Sequence, residues 1–396
     1  VLNPAIELAE RGFFLSHYEA SRFNSYKDFF LRNEAASKIF VRKDKKPWEK
    51  GDKFIQKDLA KTIKRIARYG RDGFYKGPVA KLIENEMKRG NGLITLEDLE
   101  NYSSKYRSPV KGTYKNFKII SMGPPSSGGT LLINMLNMLE FYPMDTIGWN
   151  SSDYIHIKTE VERRAYADRA EHMGDPDFWD VPIDFLTSKR YAEKRIQNIQ
   201  LGKATLSSSI SATKNFGYES PETTHYSVVD QWGNAVSVTT TINLGYGNGC
   251  IVDGAGFFLN NEMDDFSSKP GVPNAFGLVG NEANAIEPEK RPLSSMTPTI
   301  VLKNDKPFLI IGSPGGSTII TTTMQTILNV IDHNMDIKEA VCSARFHSQW
   351  LPDVIQFEPN SLTKDVRINL ESKGHKLFPR SGFIGEANGI LITEDG

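Results

Sequence analysis

The run Thr223-Thr224-His225-Tyr226-Ser227-Val228-Val229-Asp230, then Gln231-Trp232-Gly233-Asn234, then Ala235-Val236-Ser237-Val238-Thr239-Thr240-Thr241 reads as strand, turn and returning strand. β-Branched and aromatic residues fill both arms, and Gly233-Asn234 supplies the reversal. With Trp232-Gly233 at the tip, Gln231 faces Asn234 and Asp230 faces Ala235; counting outward brings Thr241 opposite Thr224, beside Thr223. Upstream, Ser207-Ser208-Ser209, Thr213-Lys214-Asn215 and Tyr218-Glu219-Ser220-Pro221-Glu222 form a polar stretch without a strong period. That is a linker or exposed loop, where chains are readily cut. Two threonines therefore meet where a cuttable linker enters a sheet. A break between Glu222 and Thr223 leaves an α-amine beside the Thr223 hydroxyl, and such an amine can act as its general base. Thr241 would hold Thr223 in the attacking rotamer. The competing reading is strand propensity alone, since Thr239-Thr240-Thr241 needs no chemistry to explain it.

Toward the C-terminus, residues 298–302 and 307–312 make a second hairpin around Asn304-Asp305, and residues 318–332 read as a helix. Hairpin-connected strands followed by a helix predict an antiparallel, layered α+β fold rather than a doubly wound parallel sheet. Ile310-Ile311-Gly312-Ser313-Pro314-Gly315-Gly316-Ser317 joins strand to helix through a glycine-rich turn. The Gly315 and Gly316 amides suit an oxyanion at the positive end of that helix. The same geometry can cradle a phosphate, although no GK[ST] tail follows, and a turn without function is the third reading. Asn260-Asn261-Glu262-Met263-Asp264-Asp265-Phe266 suits a hard cation or an ammonium group, without the alternating spacing and internal glycine of a calcium loop. Arg291-Pro292-Leu293-Ser294-Ser295-Met296-Thr297-Pro298 presents a constrained serine pair able to donate to a carboxylate.

The first half reads as helices with short connections. Residues 58–68 carry Leu59, Ile63 and Ile66 at helical spacing, with Gly70 as a stop. Thr95-Leu96-Glu97-Asp98 resembles a capping box opening a short helix. Residues 130–141 place Leu132, Met135, Leu136 and Leu139 on one core-facing stripe, and residues 152–172 form a longer, more polar helix. Between them, residues 121–129 make a Gly/Pro-rich turn that reads either as an anion site or as a structural corner.

Composition narrows the class. The 396 residues carry 48 Lys+Arg against 48 Asp+Glu, for a formal net charge of zero. No broad field argues for nucleic acid or an anionic membrane, and Arg42-Lys43-Asp44-Lys45-Lys46 reads as solvated surface. No apolar run reaches the roughly 18 residues of a membrane helix. Cys250 and Cys342 lack CxxC spacing and neighbouring ligands, so both read as ordinary thiols rather than a disulfide or zinc site.

Several of these motifs taken together resemble the γ-glutamyltransferase (γ-glutamyltranspeptidase) family. The resemblance is carried by residues 223–230, Gly233-Asn234-Ala235-Val236, residues 259–266, Lys269-Pro270-Gly271-Val272-Pro273-Asn274, residues 290–299, residues 312–317 and residues 345–352. In the first half it is carried by Asp72-Gly73-Phe74-Tyr75-Lys76-Gly77, Gly92-Leu93-Ile94-Thr95, residues 124–129 and Tyr166-Ala167-Asp168-Arg169. It implies an N-terminal nucleophile hydrolase with a four-layer αββα sandwich, made as one precursor and autocleaved into two subunits that then pair. Residues 1–222 would be the C-terminal part of the large subunit and 223–396 the small catalytic one. Thr223 would be the nucleophile, Thr241 its supporting hydroxyl, and Gly315 and Gly316 the oxyanion hole. Asn243, Glu262 and Asp265 would hold the glutamyl α-amino group, and Ser294 and Ser295 its α-carboxylate.

The implied reaction passes the γ-glutamyl group of glutathione or a related amide to water, an amino acid or a peptide, with no cofactor and no metal, in the periplasm or outside the cell. The chain resembles a fragment lacking the start of the large subunit, where the family carries an Arg for the α-carboxylate, and lacking the C-terminal tail. It departs from the family at Ser317-Thr318, where Ser-Arg is usual, and at Phe276, where some bacterial relatives carry Tyr in the lid formed by residues 270–281. The rival readings are a same-fold acylase for poly-γ-glutamate or a β-lactam side chain, a non-catalytic binding homologue, and a phosphate-binding protein built on Gly315-Gly316.

Overall fold

The computed structural model describes residues 1–210, 223–269, 271–275 and 277–393. The expected scission point at Glu222, most of the linker before it, and Pro270 and Phe276 of the expected lid lie outside those residues. The chain divides into two compact units, Val1–Tyr106 with Tyr246–Asn261, and Arg107–Gly245 with Glu262–Gly396. These units cut across the boundary expected at 222/223.

The first unit is helical, with one short two-stranded ladder pairing Phe13–Phe14 with Lys53–Phe54. The helix Lys57–Tyr69 ends at Gly70 (φ 56°), a conformation that favours glycine. Leu96–Asn101 opens with the expected capping box, Thr95 and Asp98 bonding reciprocally. An aromatic cluster built on Phe23, Phe30, Phe40 and Phe54, with Phe30 stacked on Phe40 at 4.8 Å, forms one core, and Val79, Ala80, Ile83, Leu99, Val252 and Ala255 form another.

The second unit is organised by a five-stranded antiparallel sheet. Its strands are β1 (Val110–Tyr114), β2 (Phe117–Ser121), β5 (Thr299–Lys303), β6 (Lys306–Gly312) and β7 (Asn388–Leu391), in the order β7-β6-β5-β2-β1. Helices α1 (Gly128–Leu139), α2 (Ser152–His172) and α3 (Thr318–Ile331) pack together, α1 against β1 and β2 and α3 against β6. A separate hairpin, β3 (Thr224–Val229) and β4 (Ala235–Thr240), packs on β5, β6 and β7. The fold class is α+β, as the strand-then-helix order predicts.

The hairpin register differs by one residue from the count made on the sequence. Thr224 pairs with Thr240 and Val229 with Ala235. The cause is the turn. Asp230 accepts from the amides of Trp232 and Asn234, each at 2.9 Å, its own amide bonds the Asn234 carbonyl, and Gly233 sits at φ 81°. The loop thus holds Gln231, Trp232 and Gly233, three residues rather than two, and Asp230 faces Asn234. Continuing that count sets Thr223 across from Thr241.

Side-chain hydroxyls and one histidine seat the hairpin on the sheet. Ser237 Oγ donates to the Ile311 carbonyl (3.1 Å) and accepts from the Thr299 amide (3.1 Å). The His225 ring lies over Gly312, where a Cβ would come within 2.3 Å of it, so only glycine permits the approach. His225 is bonded to Thr239 Oγ1 (2.8 Å) and Ser227 Oγ (3.2 Å), and burial pushes its pKa down to about 4. It is a neutral packing residue.

The polar helix α2 is buried nearly all round rather than solvated on one face. Several of its charges are paired: Glu160 with Arg163 (3.1 Å) and Arg164 (2.7 Å), and Asp168 with Arg195 (2.6 Å). Removing one partner of such a buried pair costs about 3–5 kcal/mol. His156, Glu160 and His375 bring ligand-type atoms within 4.8 Å of one another. Those atoms are committed, however, His156 to His375 at 2.7 Å and Glu160 to its two arginines. Both cysteines are free thiols, and among the described residues no helix is long and apolar enough to cross a membrane.

Candidate active site

Thr223, at the entry to β3, places its Oγ1 3.4 Å from Thr241 Oγ1, and the Asn243 amide donates to Thr241 Oγ1 at 2.8 Å. The first distance is long for a hydrogen bond, and such contacts commonly tighten once substrate is bound. Asn243 is buried with φ 71°, a left-handed conformation that Asn tolerates better than most residues. Thr223, Thr241, Asn243, Asp265, Ser294, Ser295 and Gly316 line one pocket, completed by Leu278, Met296 and Ile319. None of these lining residues is His, Cys or Lys.

The glycine turn follows β6 and opens α3. Gly315 (φ 137°) and Gly316 (φ 57°) both occupy positive φ. Among the described residues neither amide donates to a protein acceptor, which leaves two N–H groups at the positive end of a 14-residue helix. Thr318, at the position where the family usually has Arg, donates from Oγ1 to the Gly315 carbonyl at 2.7 Å and so braces the turn. Tyr166 of α2 donates to the Ser317 carbonyl behind it.

On another wall, the loop carrying Ser294 and Ser295 is clasped by residues 124–129. The Ser127 amide and hydroxyl both donate to the Ser294 carbonyl at 2.9 Å, the Ser294 amide donates to the Pro125 carbonyl at 2.9 Å, and Ser126 Oγ donates to the Met296 carbonyl at 2.6 Å. That turn is a corner. Of the amides offered for an anion, that of Gly129 bonds the Met122 carbonyl (3.0 Å) and that of Gly128 bonds Ser126 Oγ (3.2 Å). The loop is anchored again at Arg291, whose amide donates to the buried Asp175 at 2.9 Å. Both serine hydroxyls have an acceptor position already filled: Ser294 Oγ takes the Met296 amide (3.1 Å) and Ser295 Oγ takes Arg169 Nη2 (3.3 Å). Each can therefore turn its own hydrogen outward as a donor.

The acidic wall is Glu262 and Asp265. Glu262 accepts from the Asn243 amide and from the Asp265 carboxyl, and burial raises its pKa. Asp265 is raised further, first by burial and then by the Glu262 charge. Two buried carboxyls this close resist ionising together, so the pair favours holding one proton between them. Asp265 Oδ1 also accepts from Asn274 Nδ2 at 3.3 Å, and Asp264 accepts from the Ala275 amide at 2.8 Å, tying residues 274 and 275 to this wall.

The gamma-glutamyltranspeptidase sequence profile matches residues 1–396. The chain belongs to the gamma-glutamyltranspeptidase family. It is 46% identical to a glutathione hydrolase proenzyme of Escherichia coli (strain K12), over 100% of this chain and 68% of that protein. It is 34% identical to an acylase ACY 1 proenzyme of Pseudomonas sp. (strain SE83), again over 100% of this chain and 68% of the relative. The chain thus spans about two thirds of the length of each. The crystal structure of cephalosporin acylase from Bacillus halodurans superposes with a TM-score of 0.84 at 24% identity, covering 99% of this chain and 70% of that one, a likeness of fold. With its family relatives this chain is an enzyme of the N-terminal nucleophile hydrolase class.

Of the residues singled out on the sequence, Thr223, Thr241, Asn243, Asp265, Ser294, Ser295 and Gly316 line this pocket, and Gly315 and Glu262 neighbour lining residues, Gly315 in the chain and Glu262 through the Asp265 carboxyl. Arg169 was not singled out. It lies in the quoted Tyr166-Ala167-Asp168-Arg169 motif, but on the sequence it is one more charge in a polar helix, and no local spacing links it to Ser295, 126 positions away.

The shared proton has a measurable consequence. An ammonium seated against Glu262 and Asp265 favours both ionised forms, so binding L-glutamate at weakly acidic pH should release a proton, and affinity should rise with pH through the raised pKa. Calorimetry in buffers of different ionisation enthalpy reads that proton. An apparent binding enthalpy independent of buffer contradicts the shared-proton pair. The sign for stability is the reverse of a salt-bridged carboxylate. A folded pKa above the unfolded value means stability is lost as pH rises, so in the empty site the pair weakens the fold at neutral pH.

Proposed function

We propose that this chain carries the γ-glutamyl transfer site of its family, with Thr223 as nucleophile once the Glu222–Thr223 bond is broken. The observation that carries this reading is the arrangement of the pocket. A threonine hydroxyl pair stands between a proton-sharing acid pair and two serine hydroxyls free to donate. An ammonium calls for the first and a carboxylate for the second, which together describe the head of a free α-amino acid. The scissile γ-carbonyl is then left at Thr223.

The Thr223 α-amine takes the proton from Oγ1 as the oxygen attacks the γ-carbonyl carbon, and the Gly315 and Gly316 amides receive the oxyanion. Collapse expels the amine leaving group with that proton and leaves a glutamyl ester on Thr223. Water, or the amino group of an amino acid or peptide, gives its proton to the same amine and attacks the ester, releasing glutamate or a new γ-glutamyl amide. The absence of His, Cys and Lys from the pocket lining supports the α-amine as base. Two subunits that stay paired after scission, and a location in the periplasm or outside the cell, complete the reading on the strength of the family resemblance.

The test is glutathione itself. The processed protein should yield cysteinylglycine and glutamate, and with added glycylglycine a γ-glutamyl tripeptide. A glutaryl anilide, which keeps a carboxylate but has no ammonium, should be turned over at least about 10²-fold less efficiently. Preference for the glutaryl compound would move the chain to the acylase reading.

A further inference from the structure

Arg169 is a buried guanidinium whose contacts all lead to the serine loop. It is only 4% exposed, Nε donates to Ser127 Oγ at 2.9 Å, and Nη2 donates to Ser295 Oγ at 3.3 Å. Among the described residues it forms no ion pair. The one carboxylate felt by its charge is Asp265, and burial pushes its pKa down to about 10. A buried arginine normally has a carboxylate partner, because an unpaired charge away from water is costly. Arg163 and Arg164 of the same helix are both paired with Glu160.

We infer that Arg169 is a positioning residue for the substrate carboxylate, acting through Ser295 and Ser127 rather than by touching the ligand. This rests on the γ-glutamyl reading of the site. A guanidinium has five N–H groups and no acceptor, so Ser295 Oγ must accept from it and is left with its own hydrogen to give. The same holds for Ser127, which accepts from Nε and passes its hydrogen to the Ser294 carbonyl. One side chain thereby fixes the polarity of Ser295 and the backbone position of Ser294. It also lays a fixed positive charge beneath the place where the α-carboxylate binds. Helix α2 aims it there: Tyr166 and Arg169, three residues apart on one helical face, brace the glycine turn and the serine loop respectively.

The test uses the intact, processed protein and two substrates: γ-glutamyl p-nitroanilide, and 4-aminobutanoyl p-nitroanilide, which keeps the ammonium and lacks the α-carboxylate. Arg169→Met should still yield two bands on a denaturing gel. Its KM for the γ-glutamyl anilide should rise at least about 10-fold with kcat changed less than about 3-fold, while kcat/KM for the decarboxylated substrate stays within about 2-fold of wild type. Arg169→Lys, which keeps the charge but not the fork, should show a smaller rise of the same kind, and joining it to Ser295→Ala should add nothing further. Equal losses on both substrates, or additive effects of Arg169→Lys and Ser295→Ala, would overturn the assignment. The lysine variant decides it if the methionine variant does not fold. A wild-type enzyme indifferent to the α-carboxylate would instead remove the γ-glutamyl reading, and this inference with it.

Discussion

Thr223→Ala should leave the full-length protein as a single band on a denaturing gel and lower glutathione turnover by at least about 10⁴-fold, the scale expected when an enzyme loses its nucleophile. Both losses come from one atom. Thr223 Oγ1, 3.4 Å from Thr241 Oγ1, is the pocket-lining hydroxyl that a new α-amine can activate, and the pocket lining offers no His, Cys or Lys in its place. The alanine methyl should disturb the hairpin little, since Thr223 precedes the β3–β4 register, which begins at Thr224. Thr223→Ser, which keeps the hydroxyl, should still be cut and retain measurable turnover. N-terminal sequencing of the small band gives the position of the cut. A Thr223→Ala protein that still splits before residue 223, or still releases glutamate at more than a trace rate, has its nucleophile elsewhere.

Gly315→Ala should lower kcat by about 10²–10³-fold with little change in KM. That is the loss seen when an oxyanion donor is removed, about 2.7–4 kcal/mol of transition-state stabilisation. Two features set the expectation. Gly315 sits at φ 137°, which L-residues rarely adopt, and an added Cβ would lie 2.4 Å from Thr318 Oγ1. That hydroxyl holds the Gly315 carbonyl at 2.7 Å, so the methyl displaces the brace that keeps the turn in shape. The Gly315 and Gly316 amides then point away from the developing charge, while the acid pair and the serines, which bind the ground state, keep their places. Steady-state kinetics on a γ-glutamyl anilide separates the two constants. A rise in KM with kcat intact would mean that the turn binds substrate and does not stabilise the oxyanion.

Much of this site is legible in the sequence because its parts are local. A strand entered by a polar linker, a glycine turn between strand and helix, an acid cluster and a constrained serine pair each occupy fewer than about ten residues, and each chemistry follows from residue type. The hairpin count missed by one because Asp230 ties together a three-residue loop, a side-chain decision that strand alternation does not report. The turn at residues 121–129 reads equally well as an anion site until its amides are seen bonded to Met122, Ser126 and Ser294.

The sequence by itself determined the α+β class and the family and supplied the candidate reactive residues, because strand periodicity, turn chemistry and side-chain type are properties of short segments. Only the tertiary structure decided which hydroxyls accept and which donate, that burial and the Glu262 charge raise the pKa of Asp265, and that Arg169 of a buried polar helix stands behind Ser295. Those depend on burial and on contacts between residues more than a hundred positions apart, and neither is written in any local pattern.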